Sequence, residues 1–386
     1  MWWLYAILVL LILIAIFVIM FMIFKAQNVP VVKGHPVKRK ETKNVIHTYF
    51  RFSDDLNNKK SMIPIDVFKE IMESANIKVT NQSNATIYLF ETLNTVDHAI
   101  ENAKFGSNTA FIFGIKGTDH MVSKSSLVYY IRQTMGPEKA AAMLPVTYIY
   151  GIQSDMQRLY TDIKTYTGIY IMKKNIQRQE GNMISLDPQT IFDGGQEGYV
   201  VVQRMLLNPL CINGHKINMR LYMFVIVDET AKFYIYNNGF IYYSPKKWNK
   251  LSNEADVHIT SGRLEDRAIY NENPISFKEL GESIGTENYD HLWGNIVELM
   301  TNIKLTYEPI FTEQNRTSVG VNVSIYGCDI APDDVLNVKL MEVNKGPDLT
   351  YKDSEDKRIK YGMVHDMFGL LGIIPPKNNL DNLIQL

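Results

Sequence analysis

The stretch Asn337-Val338-Lys339-Leu340-Met341-Glu342-Val343-Asn344-Lys345-Gly346-Pro347 decides the reading of this chain, because an apolar strand carries two oxygen-bearing side chains and then stops at a turn. Strand side chains alternate with a period of two, so Val338, Leu340, Glu342 and Asn344 are predicted to project from one side. A carboxylate and an amide oxygen about 7 Å apart along a strand, released by Gly346 and Pro347, suit a hard cation that bridges phosphates. The same pattern also describes a solvated strand end. The rest of the chain must therefore supply partners.

Working upstream, the segment from Lys216 to Val227 reads KINMRLYMFVIV, with Lys216, Asn218 and Arg220 on one face of a strand that turns wholly apolar. Two fixed cations beside a buried continuation favour an anion site, and the arginine offers a planar fork for phosphate or carboxylate. Farther upstream, Ile169, Ile171 and Lys173 share a face before a polar turn that contains Gly181. A lysine ending a strand at such a loop can hold phosphate.

In this order the segments resemble the tubulin-tyrosine ligase-like family of the ATP-grasp superfamily. The matched residues are Lys173 with Gly181, Gln203-Arg204-Met205-Leu206 before Asn208-Pro209-Leu210, Lys216-Ile217-Asn218-Met219-Arg220, Gly327-Cys328-Asp329, and Glu342-Val343-Asn344 ahead of Pro347. A lysine-bearing helix around Lys124 and a strand at Pro145 to Tyr148 extend the similarity, which runs roughly over 115–374. The resemblance implies an α+β, ATP-grasp fold and a ligase that uses ATP and Mg2+. Lys173 and Lys216 would neutralise phosphates, Gln203, Arg204 (through its backbone) and Leu206 would form the adenine hinge, and Arg220 would sit on the transferring phosphoryl group. Asp329, Glu342 and Asn344 would hold magnesium. An acceptor carboxylate would become an acyl phosphate, which the amine of a free amino acid then displaces. The acceptor would be a protein, with tubulin the family's example, and glutamate is favoured over tyrosine or glycine because Lys345 and the segment EDKRIKYGMVHDMFGLLGI resemble the glutamate-adding members.

Three positions depart from the family pattern: Lys174 in place of the proline after the phosphate lysine, Met183 in place of a second loop glycine, and Asn218 in place of the aspartate of K-x-D-x-R. The family's H-x-T-N appears as His258-Ile259-Thr260-Ser261. These departures motivate an alternative, a nucleotide-binding pseudoenzyme or tubulin-binding adaptor. Another ATP-grasp ligase or kinase acting on a small molecule is a third reading.

Composition sets the outer bounds. The 386 residues are 46% hydrophobic and 21% charged with a net charge of −1, so a folded chain is expected and charge offers nothing to nucleic acid. The two cysteines, Cys211 and Cys328, lack metal-ligand spacing and fit a reducing compartment. Residues 1–24 carry no charge, and at about 1.5 Å per residue a helix of that length exceeds a hydrocarbon core of roughly 30 Å. Trp2 and Trp3 resemble interfacial anchors, and Lys25, Lys33, Lys38, Arg39, Lys40 and Lys43 against Glu41 place the bulk of the chain on the cytosolic side of a single-pass membrane protein. The expected organisation is a transmembrane anchor over 1–24, a basic juxtamembrane linker over 25–44, a small α/β lobe over 45–114, and the ligase domain over 115–386.

Overall fold

The computed structural model describes residues 32–33, 47–52, 66–90, 96–176, 181–260, 267–376 and 380–386. The expected span at 1–24, and the linker apart from 32–33, lie outside them. Among the described residues no helix is long and apolar enough to cross a membrane.

Strands β1 (Val32–Lys33) and β2 (Thr48–Phe52) precede helix α1 (Asp66–Ser74), and β3 (Lys78–Val79), β4 (Ile87–Phe90), α2 (Val96–Asn102) and β5 (Phe111–Phe113) follow. Helices α3 (Asp119–Val122), α4 (Lys124–Met135) and α5 (Pro137–Met143) lead to β6 (Thr147–Ile149), α6 (Gln153–Thr165), β7 (Tyr170–Lys173) and β8 (Asn182–Ser185). After α7 (Pro188–Asp193) come β9 (Val201–Arg204), β10 (Cys211–Ile212), β11 (His215–Val227), β12 (Ala231–Tyr243) and α8 (Ala255–His258). Helices α9 (Phe277–Ile284) and α10 (Thr286–Gln314) precede β13 (Val321–Pro332), β14 (Val338–Lys345), α11 (Ser354–Leu370) and β15 (Leu383–Gln385).

Two sheets result, and the fold is mixed α+β. The larger runs β1-β15-β12-β11-β13-β5-β4-β2-β3, with β14 paired to β13 and β10 to β11; the smaller runs β6-β9-β7-β8. The stretch 45–114, read as a small α/β lobe, contains parallel strands and helices among its described residues. Its β5 pairs with β13, Phe111 opposite Val321, so its strands continue the main sheet.

The main sheet is covered on both sides, which explains why β11 is apolar without alternation after Arg220. Met219, Leu221, Met223 and Val225 pack with Leu127, Ile131, Ile296 and Ile303 of α4 and α10. On the other side Tyr222, Phe224 and Ile226 pack with Phe68, Ile71, Met363 and Met367 of α1 and α11. Burial of each such side chain contributes roughly 1.5–3 kcal/mol, so these two layers fix the sheet that carries the polar end of β11.

One register irregularity corrects the strand reading. Leu340 pairs with Ile330 while Glu342 pairs with Asp329, so Met341 is an extra residue and β14 bulges there. A bulge reverses the alternation downstream of it. Val338, Leu340 and Val343 therefore enter the apolar core, and Glu342 and Asn344 project from the opposite side. The four side chains expected on one face are split two and two.

Candidate functional site

The site forms where the polar end of β11 meets β13 and β14. Asp329 lies directly across from Arg220, Glu342 across from Asp329, and Asn344 across from Gly327. Arg220 Nε donates to Asp329 Oδ1 at 2.6 Å and Nη2 to Oδ2 at 3.1 Å, the paired geometry a guanidinium fork makes with a carboxylate. The arginine lies across Gly327, where a Cβ would come within 3.1 Å of Nη1 and 3.2 Å of Cδ. That position admits a side chain only by moving Arg220. Asn344 Nδ2 donates to Glu342 Oε1 at 3.1 Å and reaches Asp329 Oδ2 at 3.5 Å. Its amide thus presents nitrogen to both carboxylates, and offering oxygen to a cation requires a turn about the last side-chain bond.

The smaller sheet brings its own cation. Lys173 ends β7 opposite Asn182 and Val201 and is buried. Burial lowers its pKa, the charges of Glu342 and Asp329 pull it back up, and the neighbouring Lys124 lowers it further. Lys216 donates to the backbone oxygen of His258 at 2.9 Å; burial, with Lys173 adding to it, lowers its pKa to about 8. His258 is itself buried, with Nε2 2.5 Å from the Ser252 oxygen, so its ring is a structural prop and its carbonyl a perch for the lysine. Burial acting alone would raise Glu342, yet Lys124, Lys173, the Asn344 amide and Arg220 hold it at about 2. Burial and the Glu342 charge raise Asp329 while Arg220 opposes them.

Lys124 is the site residue that strand periodicity could not reveal. It opens α4, and its Nζ stands 3.7 Å from Glu342 Oε2 and donates to the Ile176 oxygen at 3.0 Å. Only its place in the family's lysine-bearing helix pointed to it, because a lysine at a helix start carries no periodic signal. Lys124, Lys173 and Arg220 face two carboxylates, Asp329 and Glu342, Lys216 stands beside Lys173, and the positive surplus suits a polyphosphate. The Gln203 Oε1 and Asn218 Oδ1 atoms are buried without a hydrogen-bond partner, although the Gln203 amide nitrogen donates to Thr147 Oγ1 at 3.0 Å. Unpaired buried acceptors cost about 1–3 kcal/mol each, and a nucleotide carries N–H and O–H donors that would satisfy them. The residues present therefore fit a magnesium nucleotide.

Not every expected residue points inward. The Arg204 side chain pairs with Asp162 and lies 4.3 Å from the Tyr166 ring centre, and its backbone nitrogen donates to the Val146 oxygen at 2.9 Å. Leu206 sits half-buried just past β9. Gly181, at a φ of 80°, closes the turn before β8 through its oxygen, which accepts from the Lys174 backbone nitrogen at 3.0 Å; residues 177–180 and Ser261 lie outside the described residues. Lys345 projects from the side of β14 opposite Asn344 and ties to Asp119 Oδ1 at 2.6 Å, so it does not face the carboxylates beside which it stands in sequence. Cys328 faces the apolar core, and burial pushes its thiol pKa up. It is no nucleophile.

Comparison with known proteins gives the same direction. The mouse (Mus musculus) probable tubulin polyglutamylase TTLL2 is 28% identical over 226 residues, 54% of this chain and 40% of its own length. The mouse tubulin monoglutamylase TTLL4 is 25% identical over 204 residues, 48% of this chain and 17% of its own. The Caenorhabditis elegans tubulin polyglutamylase ttll-5 is 24% identical over 232 residues, 53% of this chain and 30% of its own. The chain thus spans less than half the length of each of these relatives. The model of the tubulin-tyrosine ligase family matches residues 114–382, a range that holds every strand and helix of the site just described, and by that match the chain belongs to the tubulin-tyrosine ligase family.

Proposed function

We propose that this chain is an ATP-dependent ligase that joins an amino acid, glutamate foremost, to a protein carboxylate, with tubulin the leading acceptor. The observation that carries the reading is the gathering of Lys124, Lys173 and Arg220 around Asp329 and Glu342, with Lys216 beside Lys173, drawn from both sheets and helix α4. Lys124, Lys173 and Lys216 would hold phosphate oxygens, Arg220 would face the transferring group, and Asp329, Glu342 and Asn344 would hold magnesium. Magnesium-bound ATP would supply the phosphoryl group that activates the acceptor carboxylate as an acyl phosphate. The amino-acid amine would then attack the activated carbonyl, forming the amide and releasing phosphate. Alignment and charge neutralisation suffice for such chemistry, so no serine or cysteine nucleophile is needed.

Residues 1–24 would anchor the protein in a membrane, with the ligase facing the cytosol where ATP is available; the uncharged run and the basic residues behind it support this reading. The test of activity is to incubate the full-length protein with ATP, magnesium, tubulin and labelled amino acids. Incorporation dependent on ATP is expected. Tight nucleotide binding without incorporation would instead support the adaptor reading, which Asn218 motivates by replacing a carboxylate with a neutral amide.

A further inference from the structure

Helix α11 lies on the same face of the main sheet as Arg220, and it buries an ion pair near its start: Asp356 is 4% exposed and Lys360 7%. Lys360 Nζ stands 2.8 Å from Asp356 Oδ1 and donates to the Thr350 oxygen at 2.5 Å. Asp356 Oδ2 accepts from the Lys352 backbone nitrogen at 3.0 Å. The pair therefore grips both ends of 350–352, in the segment that leaves β14 after Lys345. Leu349, also buried, seats that segment among Ile359 and Met363. A buried ion pair is a weak source of stability because desolvation offsets most of the attraction, so its contribution here is to geometry.

The place of the pair says what that geometry serves. Strand alternation puts Tyr222 next to Arg220 on the face that α11 covers, and the Arg220 guanidinium lies 5.2 Å from the centre of the Tyr242 ring. Across β11, β12 sets Phe240 opposite Arg220, and Lys360 Nζ lies 5.6 Å from the centre of the Phe240 ring, whereas β13 and β14 bring Asp329 and Glu342 to the other side of the arginine. Lys173 feels the charges of Glu342, Lys124 and Asp329, and Lys216 feels that of Lys173; neither feels Asp348 or Asp356. The nucleotide cations thus occupy one flank of Arg220 and the 346–352 segment the other. In amide formation the amine must reach the activated carbonyl from the flank the phosphate donor does not fill.

We propose that Lys360 and Asp356 are positioning residues that fix the 346–352 segment beside Arg220 and so set the binding of the incoming amino acid, not of the nucleotide. The proposal rests on the ligase reading. Its test is the paired replacement Lys360→Met with Asp356→Leu, which removes both charges and both hydrogen bonds to the segment, alongside Lys360→Arg, which keeps the charge. In the full-length protein three quantities are measured: Kd for magnesium-bound ATP by calorimetry, kcat and KM for glutamate with tubulin as acceptor, and amide hydrogen exchange across 346–353. We expect Kd within twofold of the unaltered protein, KM for glutamate raised at least tenfold, exchange in the segment at least tenfold faster, and KM within threefold for Lys360→Arg. An unchanged KM, or a Kd that weakens in step with KM, overturns the proposal. If the unaltered protein ligates nothing, the ligase reading falls. In that case unchanged exchange in the paired variant overturns the grip on the segment as well, while faster exchange upholds it.

Discussion

Replacing Glu342 by glutamine removes one charge and almost no volume. The amide oxygen can still accept from Asn344, whose Nδ2 donates to Oε1 at 3.1 Å in the protein as it stands, so the fold should survive. What disappears is the carboxylate that Lys124 faces at 3.7 Å. Held at about 2 instead of the ordinary 4.5, that carboxylate favours its ionised form by roughly 3 kcal/mol, at about 1.4 kcal/mol per tenfold change in proton affinity. A neutral glutamine forfeits that preference just where a divalent cation would be held. If the loss falls on the phosphoryl-transfer transition state, it corresponds to roughly a hundredfold in kcat, and loss of the cation itself would deepen it. The assay is ATP-dependent incorporation of labelled glutamate into tubulin, read beside circular dichroism and Tm. A folded Glu342→Gln protein that keeps kcat within threefold would refute the placement of the cation at this carboxylate.

Three further outcomes are expected. Because the free protein loses the Lys216 proton near pH 8, affinity for ATP should be full below that pH and fall by up to tenfold per pH unit as pH rises through it; calorimetry from pH 6.5 to 9.5 reads this, and a flat profile shows that Lys216 does not meet phosphate. Gly327→Ala should shift Arg220 by a few tenths of an ångström in its pairing with Asp329, since a Cβ would meet Nη1 at 3.1 Å, and lower kcat by about tenfold with ATP affinity unchanged; equal kcat would mean the arginine does not need that path. The chain carries N-x-S/T triplets at Asn81, Asn84, Asn315 and Asn322, and none should be glycosylated in the native protein. Asn315 and Asn322 are 2% and 1% exposed, so Asn81 and Asn84 are the informative reporters among the four, and a glycosidase-sensitive shift at either would overturn the cytosolic orientation.

Much of the site was legible because strands preserve spacing. Lys216, Asn218 and Arg220 come to one face of β11 by alternation alone, and their order with Lys173, Asp329 and Glu342 carried the family resemblance. Lys124 was legible only through that resemblance, since its proximity to Glu342 spans more than two hundred residues and depends on how α4 packs. The Arg204 side chain went the other way: its hinge position could be read from sequence, but its partner Asp162 lies on a helix elsewhere in the chain.

The amino-acid sequence by itself determined which strands exist, their apolar faces and the set of charged groups that end them, because periodicity and burial are local consequences of side-chain chemistry. Tertiary structure alone decided which side of β14 meets the lysines. The bulge at Met341 depends on how β13 and β14 pair, and a one-residue shift in pairing turns Glu342 and Asn344 from the core to the site without changing a single letter of the chain. The joining of β5 to β13 and the grip of Lys360 and Asp356 on the segment after Asn344 were decided in the same way, by contacts between elements far apart in sequence.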